Sequence, residues 1–138
     1  MNNFQHQHTA HCESGVMSTM LKAQGVDFNE AMVFGLASAL TFVYIPLVKV
    51  NGMPLISYRM PPKSIIKNVA KRLKVRLNIQ KFRAPQAGQE ALDLALAENK
   101  LVGLQTSVFW LPYFPPEMRF HFNAHNLIVY GKEHNDYL

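Results

Sequence analysis

The order of secondary-structure signals predicts an α+β fold in which N-terminal helices pack on an antiparallel sheet. Apolar residues at helical spacing are concentrated in the first hundred residues, whereas β-branched and aromatic runs are concentrated near the C-terminus. The chain has 138 residues, of which 49% are hydrophobic, so it is long enough to bury one core without disulfide support. We therefore expect a single domain over residues 1–138.

The first two helices have clear start and stop signals. Residues 1–10 read as an extended lead-in, and a helix is expected from about Cys12 to a stop at Gly25. Asn29 is a good cap for a second, apolar helix that runs to about Ser38. The buried stripe expected on the first helix consists of Val16, Met17, Met20 and Leu21.

A β-hairpin is predicted next, with strands at 41–50 and 53–59 joined by the tight-turn pair Asn51-Gly52. Residues 31–48 contain no charge, which is close to the lower length limit for a membrane span. Pro46 interrupts this segment, and its second half is rich in β-branched and aromatic residues. We therefore expect a buried helix followed by a strand, and no membrane association.

The remaining elements alternate between helices and strands. Pro61-Pro62 should break the chain before a helix over 63–73, and Pro85 should open a helix over 86–98. Strands are expected at 75–82, 101–110 and 120–130, with a proline-rich turn between the last two and a turn at 131–135. The apolar faces of the two helices are Ile65, Ile66, Val69, Ala70 and Leu73, then Ala91, Leu92, Ala95 and Leu96.

Composition and charge exclude several classes of protein. One cysteine excludes an internal disulfide framework, and the chain contains no P-loop, no G-x-G-x-x-G and no G-x-S-x-G motif. No secretory signal is visible, so we expect a cytoplasmic protein without a cofactor. The net charge is +5, but no aromatic nucleic-acid motif accompanies the basic segment, and we expect no nucleic-acid binding. Four lysines share one helix face, which is either simply solvated or docks an acidic partner: Lys63, Lys67, Lys71 and Lys74.

The only cysteine lies in the run His11-Cys12-Glu13-Ser14-Gly15, at a predicted helix start. The positive end of a helix dipole favours a thiolate, and the free backbone N–H groups of the first turn can bind an oxyanion. Cys12 is therefore a candidate nucleophile. The alternative is that Cys12 is a small, unreactive, buried residue.

A nucleophilic cysteine needs a base, and the candidates are His121 and His125 on the last long predicted strand. An early cysteine on a helix and a late histidine on a strand is the order found in papain-like enzymes. Strand alternation puts His121, Asn123 and His125 on one face and Asn126 on the other. A competing interpretation is a zinc site built from His6, His8 and His11 with the late histidines, but the spacing matches no strong metal motif, and we expect no metal.

At this point the chain resembles the family of the N-terminal domain of butirosin biosynthesis protein H. The residues that carry the resemblance are His11–Ser14, Asn29–Leu36, Trp110–Tyr113 and His125–Gly131, in order and in register over nearly the whole chain. The resemblance implies a papain-like fold distantly similar to bacteriocin-processing peptidases. It also implies an acyltransferase that moves an aminoacyl group from an acyl carrier protein to an aminoglycoside amine, with Cys12 as nucleophile and His125 as general base.

Two departures from the papain-like pattern concern the oxyanion hole and the third catalytic residue. The glutamine expected six residues before the cysteine is replaced by His6, which leaves Gln5 and Gln7 as oxyanion candidates. An Asp or Asn about sixteen residues after His125 would fall beyond Leu138, and Asp136 is not assigned that role. We therefore expect an N-terminal piece of a longer protein, cut at an edge strand that would bring an Asp or Asn to face His125.

The function predicted from these residues is cysteine-dependent transfer of an acyl group from a thioester or amide to a small-molecule amine. An acidic acyl carrier protein would dock on the four lysines. Hydrolysis by a peptidase-like enzyme uses the same residues, and a non-catalytic binding domain on the same fold is the alternative from another class.

Overall fold

The computed structural model describes residues 4–50, 52–121 and 124–138, and these ranges form a mixed α+β fold. The helices are α1 (Cys12–Ala23), α2 (Glu30–Leu36), α3 (Ser64–Leu73) and α4 (Pro85–Ala97), with short 3-10 turns at Val108–Trp110 and Pro116–Met118. The strands are β1 (Leu40–Val50), β2 (Met53–Arg59), β3 (Val102–Thr106), β4 (His125–Val129), β5 (Lys132–Glu133) and β6 (Asp136–Tyr137). They pair as β1–β2, β3–β4 and β5–β6, so the described chain has three small antiparallel sheets where the sequence predicts one sheet.

The helix boundaries agree with their local signals. α1 begins at Cys12 because the extended residue His11 caps it, accepting at Nδ1 from the Ser14 backbone N–H. Gly25 follows the helix with φ of +82°, a conformation that glycine adopts without a steric penalty. α2 begins after Asn29, whose side chain accepts from the Met32 N–H at 2.8 Å. All three predicted boundaries are confirmed.

The core lies among α1, α2 and α3, and α1 also packs against β4. The stripes predicted for α1 and α3 supply most of its side chains, whereas those predicted for α4 are only half-buried. The buried apolar residues of this core are Met17, Leu21, Val33, Ala37, Ala39, Ile65, Val69 and Ala70. This packing holds the N-terminus of α1 in a fixed position beside the start of β4.

The β1–β2 hairpin is present, but it is exposed rather than buried. Leu47 is 92% exposed and Leu40 is 78% exposed, and both strands carry further exposed aromatic and aliphatic side chains. The strand expected after α2 is confirmed as β1, and its side chains are largely exposed. Within the described residues the two strands pair only with each other. Asn51 of the predicted turn lies outside the described residues.

The strands predicted in the C-terminal half are, within the described residues, either absent or shorter than the sequence predicts. Residues 75–82 form no strand, and no described strand pairs with this segment. Val75 and Ile79 are exposed. The strand expected at 101–110 ends at Thr106, and that expected at 120–130 begins only at His125. The turn expected at 131–135 is instead the short β5–β6 hairpin, whose turn lies at His134 and Asn135. No helix in the described ranges combines the length and apolar character needed to cross a bilayer.

Candidate active site

A cleft of about 840 Å³ lies where the lead-in segment, the N-terminal half of α1 and the β3–β4 pair meet. Cys12 is on its wall, and so are His125 and Gln7. His125 is more than a hundred positions from Cys12 and Gln7 in the sequence, and the fold brings the three residues to one cavity. The cleft is therefore the candidate active site.

Cys12 is the first residue of α1 and is half-buried. The first intrahelical hydrogen bond is donated by Gly15 to the His11 carbonyl, so the N–H groups of Cys12 and Glu13 have no partner within the helix. The Cys12 thiol points toward the Ala124 carbonyl oxygen at 4.0 Å. Asn126 donates from Nδ2 toward Cys12 Sγ at 3.7 Å. The sulfur thus lies beside the two residues that flank His125.

His125 opens β4 and pairs across the sheet with Thr106. Its ring is half-buried and meets the edge of Phe114, with 5.3 Å between the ring centroids. Burial lowers the pKa of His125 below its ordinary value of 6.5. The neutral imidazole is therefore the favoured form at neutral pH, which is the form that accepts a proton.

His121, the other histidine considered as a base, has different surroundings. It lies outside β4, so the prediction that it shares a strand face with His125 was wrong, and Asn123 lies outside the described residues. Its ring stacks on Phe109 with 4.0 Å between centroids, and it is not part of the described cleft wall. The structure thus puts His125, and not His121, in the cavity that contains Cys12.

The N-terminal histidines give no metal site in the part of the chain that the structure describes. The rings of His6 and His8 contact each other edge-on at 4.9 Å, and His11 caps α1. No group of three or more His, Cys, Asp or Glu side chains in the described ranges has a metal-binding arrangement.

The two glutamines proposed for the oxyanion hole differ in their position. Both are exposed, but only Gln7 contributes to the cleft wall. The lead-in that carries Gln7 lies close against α1 at Thr9 and Gly15. A Cβ added at residue 15 would lie 2.6 Å from Thr9 Cβ, so only glycine permits this approach.

A carboxylate network holds the start of α1 in place. Glu30 of α2 accepts from the backbone N–H of His11 at 2.7 Å and of Ala10 at 2.9 Å, and from Ser14 Oγ at 3.0 Å. Burial alone would raise the pKa of Glu30, but the hydrogen bonds from Ala10, His11 and Ser14 outweigh it and lower the pKa. The ionised carboxylate therefore fixes the peptide that precedes Cys12.

Glu13 faces away from the cleft and joins three elements. Its side chain is only 1% exposed and accepts from the Ile66 N–H of α3 at 3.2 Å. Its second oxygen is 3.7 Å from Arg59 Nη1 at the end of β2. Glu13 therefore has a structural position, and no sequence pattern indicates its pairing with Arg59.

Asn126 is the site residue that sequence reasoning missed. It is 6% exposed, and its Nδ2 contacts both Cys12 Sγ and, at 3.1 Å, the Ala124 carbonyl oxygen. The available signal was strand alternation, which turns Asn126 away from His125 and therefore toward the helix that packs on that face. A buried primary amide beside a thiol can donate a hydrogen bond to the sulfur or to an oxyanion formed on it.

The four lysines and Asp136 are not part of the described cleft wall. Lys67 and Lys71 are exposed on α3, Lys74 is exposed just after it, and Lys63 caps it half-buried. Asp136 pairs in register with Glu133 and is exposed, while its neighbours Tyr137 and Leu138 reach the cleft.

The fold and site together describe an α+β domain whose cleft presents a helix-terminal cysteine, a strand histidine and a buried amide. The family model for butirosin biosynthesis protein H, N-terminal, matches residues 11–138, so the chain belongs to this family of biosynthesis-protein domains. No curated protein and no solved structure matches the chain.

Proposed function

We propose that this domain is a cysteine-dependent acyltransferase with a papain-like arrangement of Cys12 and His125. One observation carries the proposal: the chain's single cysteine, at a helix N-terminus, lines the same cleft as His125 and Asn126. Membership in a biosynthesis-protein family supports a synthetic over a degradative role. The lowered pKa of His125 supports its role as the proton acceptor.

In the acylation step, Cys12 Sγ attacks the carbonyl carbon of a thioester donor while its proton passes to His125. The oxyanion receives hydrogen bonds from the Cys12 backbone N–H and the Gln7 side-chain amide. The carbon–sulfur bond to the donor then breaks, and His125 returns the proton to the leaving thiolate. The result is an acyl–Cys12 thioester and a free donor thiol.

In the transfer step, a small-molecule amine attacks the acyl–Cys12 carbonyl and loses a proton to His125. An amide bond forms, the bond to Sγ breaks, and the proton from His125 restores the Cys12 thiol. Water in place of the amine would give hydrolysis with the same residues. An acidic acyl carrier protein is the proposed donor, docked on the exposed lysines of α3.

The test uses acyl-N-acetylcysteamine thioesters, with acylation of Cys12 followed by intact-mass spectrometry. We expect one acyl adduct on the wild-type protein and none on Cys12→Ala. His125→Ala should slow adduct formation by about 10²- to 10⁴-fold, the range for loss of a general base. His121→Ala is the matched control, because His121 is outside the described cleft wall, and it should react within a few-fold of wild type.

Three outcomes separate the alternatives. An unchanged adduct on Cys12→Ala would exclude Cys12 as the nucleophile. An adduct that amines discharge faster than water supports transfer over hydrolysis. A Cys12 that no thioester acylates would favour the non-catalytic binding domain.

A further inference from the structure

The wall of the cleft carries almost no charge. Among the residues that the structure describes there, none is Asp, Glu, Lys or Arg. Charged residues make up 17% of the chain, so a wall of this size drawn at random would contain several. The polar groups that remain are hydroxyls, amides, the thiol and the imidazoles of His6 and His125.

Two of the three carboxylates next to wall residues in the sequence have partners, and the third, Asp136, is exposed. Glu13, next to Cys12, is ion-paired with Arg59. Asp93, next to Leu92, accepts from Lys132 Nζ at 2.9 Å and from the Tyr137 hydroxyl at 2.8 Å. Glu13 and Asp93 therefore offer no free ion to a ligand in the cleft, and Asp136 is not itself part of the described wall.

An apolar surface continues from His125 along the β3–β4 pair. Leu127 lies on the same strand face as His125, and its cross-strand partner is Leu104. Both leucines line the cleft. A strand advances about 3.3 Å per residue, so the leucine pair is roughly 7 Å beyond the His125–Thr106 pair.

We infer that the acyl group carried on Cys12 is uncharged and apolar and lies in the cleft that Leu104 and Leu127 line. This inference rests on the proposed function and names its substrate class. It differs from the aminoacyl group that the family resemblance implies, whose ammonium would have no carboxylate partner on the described wall.

The physical reason is that moving a methylene out of water favours binding, whereas moving an unpaired ion out of water opposes it. Each methylene that is fully buried improves binding by roughly fourfold. A buried ion without a partner is strongly disfavoured, because the protein does not replace its hydration. The same wall thus attracts an alkyl chain and rejects a charged one of equal size.

The test is a pair of N-acetylcysteamine thioesters with the same shape and different charge: 7,7-dimethyloctanoyl and 6-(trimethylammonio)hexanoyl. Acylation of Cys12 is measured by intact-mass spectrometry, and kcat/KM by thiol release. We expect the neutral thioester to be preferred by at least about tenfold, and hexanoyl to exceed butyryl by about tenfold for two added methylenes.

Equal rates for the two isosteres, or a preference for the cation, would overturn the inference while acylation of Cys12 upheld the proposed function. Failure of every thioester to acylate Cys12 would overturn the proposed function and this inference with it. The two failures are therefore distinguishable.

A substitution in the wall tests where the acyl chain lies. Leu104→Asp puts a carboxylate on the wall and should shift the ratio toward the cation by about tenfold or more. Leu94→Asp is the matched control, because Leu94 is exposed on α4 and outside the described wall. An unchanged ratio in folded Leu104→Asp would exclude the leucine pair as the acyl surface. If circular dichroism shows that this variant does not fold, the isosteric pair on the wild-type protein still decides the inference.

Discussion

Asn126 shows how a single side chain can define the environment of a thiol. Its amide is held by the Ala124 carbonyl oxygen, and the same nitrogen points at Cys12 Sγ. Because the residue is almost fully buried, water does not substitute easily for this donor. The amide is therefore available to stabilise negative charge on the sulfur as it develops.

We predict that Asn126→Leu slows acylation of Cys12 by about tenfold or more, because a hydrogen-bond donor beside the reacting atom is removed. The measurement is thioester-driven adduct formation, together with the iodoacetamide labelling rate at pH 7. Gln105→Leu is the matched control, since Gln105 is the cross-strand partner of Asn126 but is not part of the described cleft wall. Equal slowing in both variants would indicate a general effect of the sheet rather than a role for the amide.

The contact between the lead-in and α1 depends on one small residue. Thr9 packs against Gly15 in the first turns of α1, and this contact keeps residues 6–10 along the cleft. Glu30 fixes the same segment from the other side through the N–H groups of Ala10 and His11. The position of Gln7 in the wall therefore follows from packing on both sides of a segment with no regular secondary structure.

We predict that Gly15→Ala displaces the lead-in and lowers the free energy of unfolding by about 1–3 kcal/mol, because the new Cβ overlaps Thr9. Gly35→Ala in α2 is the matched control, since nothing lies within 4 Å of its added Cβ. That change should be neutral or stabilise by up to about 1 kcal/mol, the helix-propensity difference. Urea denaturation measures both. A destabilised Gly35→Ala with an unaffected Gly15→Ala would contradict the packing.

Elements differ in how far the sequence predicts them. Helix ends were predictable at Asn29 and Gly25, because capping acts within about four residues of the backbone it satisfies. The strand predicted at 75–82 does not form, although Val75, Leu77 and Ile79 alternate as strand residues do. Alternation describes a surface suited to a sheet, but a strand also needs a neighbour to complete its hydrogen bonds, and no described segment supplies one here.

The pH dependence of stability reflects groups from both ends of the chain. Burial lowers the pKa of His11, with Arg59 adding to the effect, and burial also lowers the pKa of His125. The unfolded chain binds more protons than the folded one once the pH falls below about 6.5, the ordinary histidine value. The lowered pKa of Glu30 acts in the same direction, and its stabilisation is lost below about pH 4.5.

We predict that the free energy of unfolding is greatest above pH 7 and declines as the pH falls, first through the histidine range and again below pH 4.5. Urea denaturation at a series of pH values measures this. His11→Asn keeps a capping side chain and removes one titration, so the first decline should become shallower. His8→Asn, the same substitution at an exposed position, is the matched control. Stability that rises from pH 7 to pH 5 would contradict the prediction.

Local sequence signals predicted the α+β class, the start of α1 at Cys12, and the nucleophile and base candidates. They could do so because capping and periodicity depend on residues near one another in the chain. Four motifs in register indicated the family. The contacts of Cys12 with Ala124 and Asn126 came from packing, as did the Glu13–Arg59 pair and the exposure of the β1–β2 hairpin. These contacts join segments that lie far apart in the sequence, and neither propensity nor periodicity specifies which remote surfaces meet.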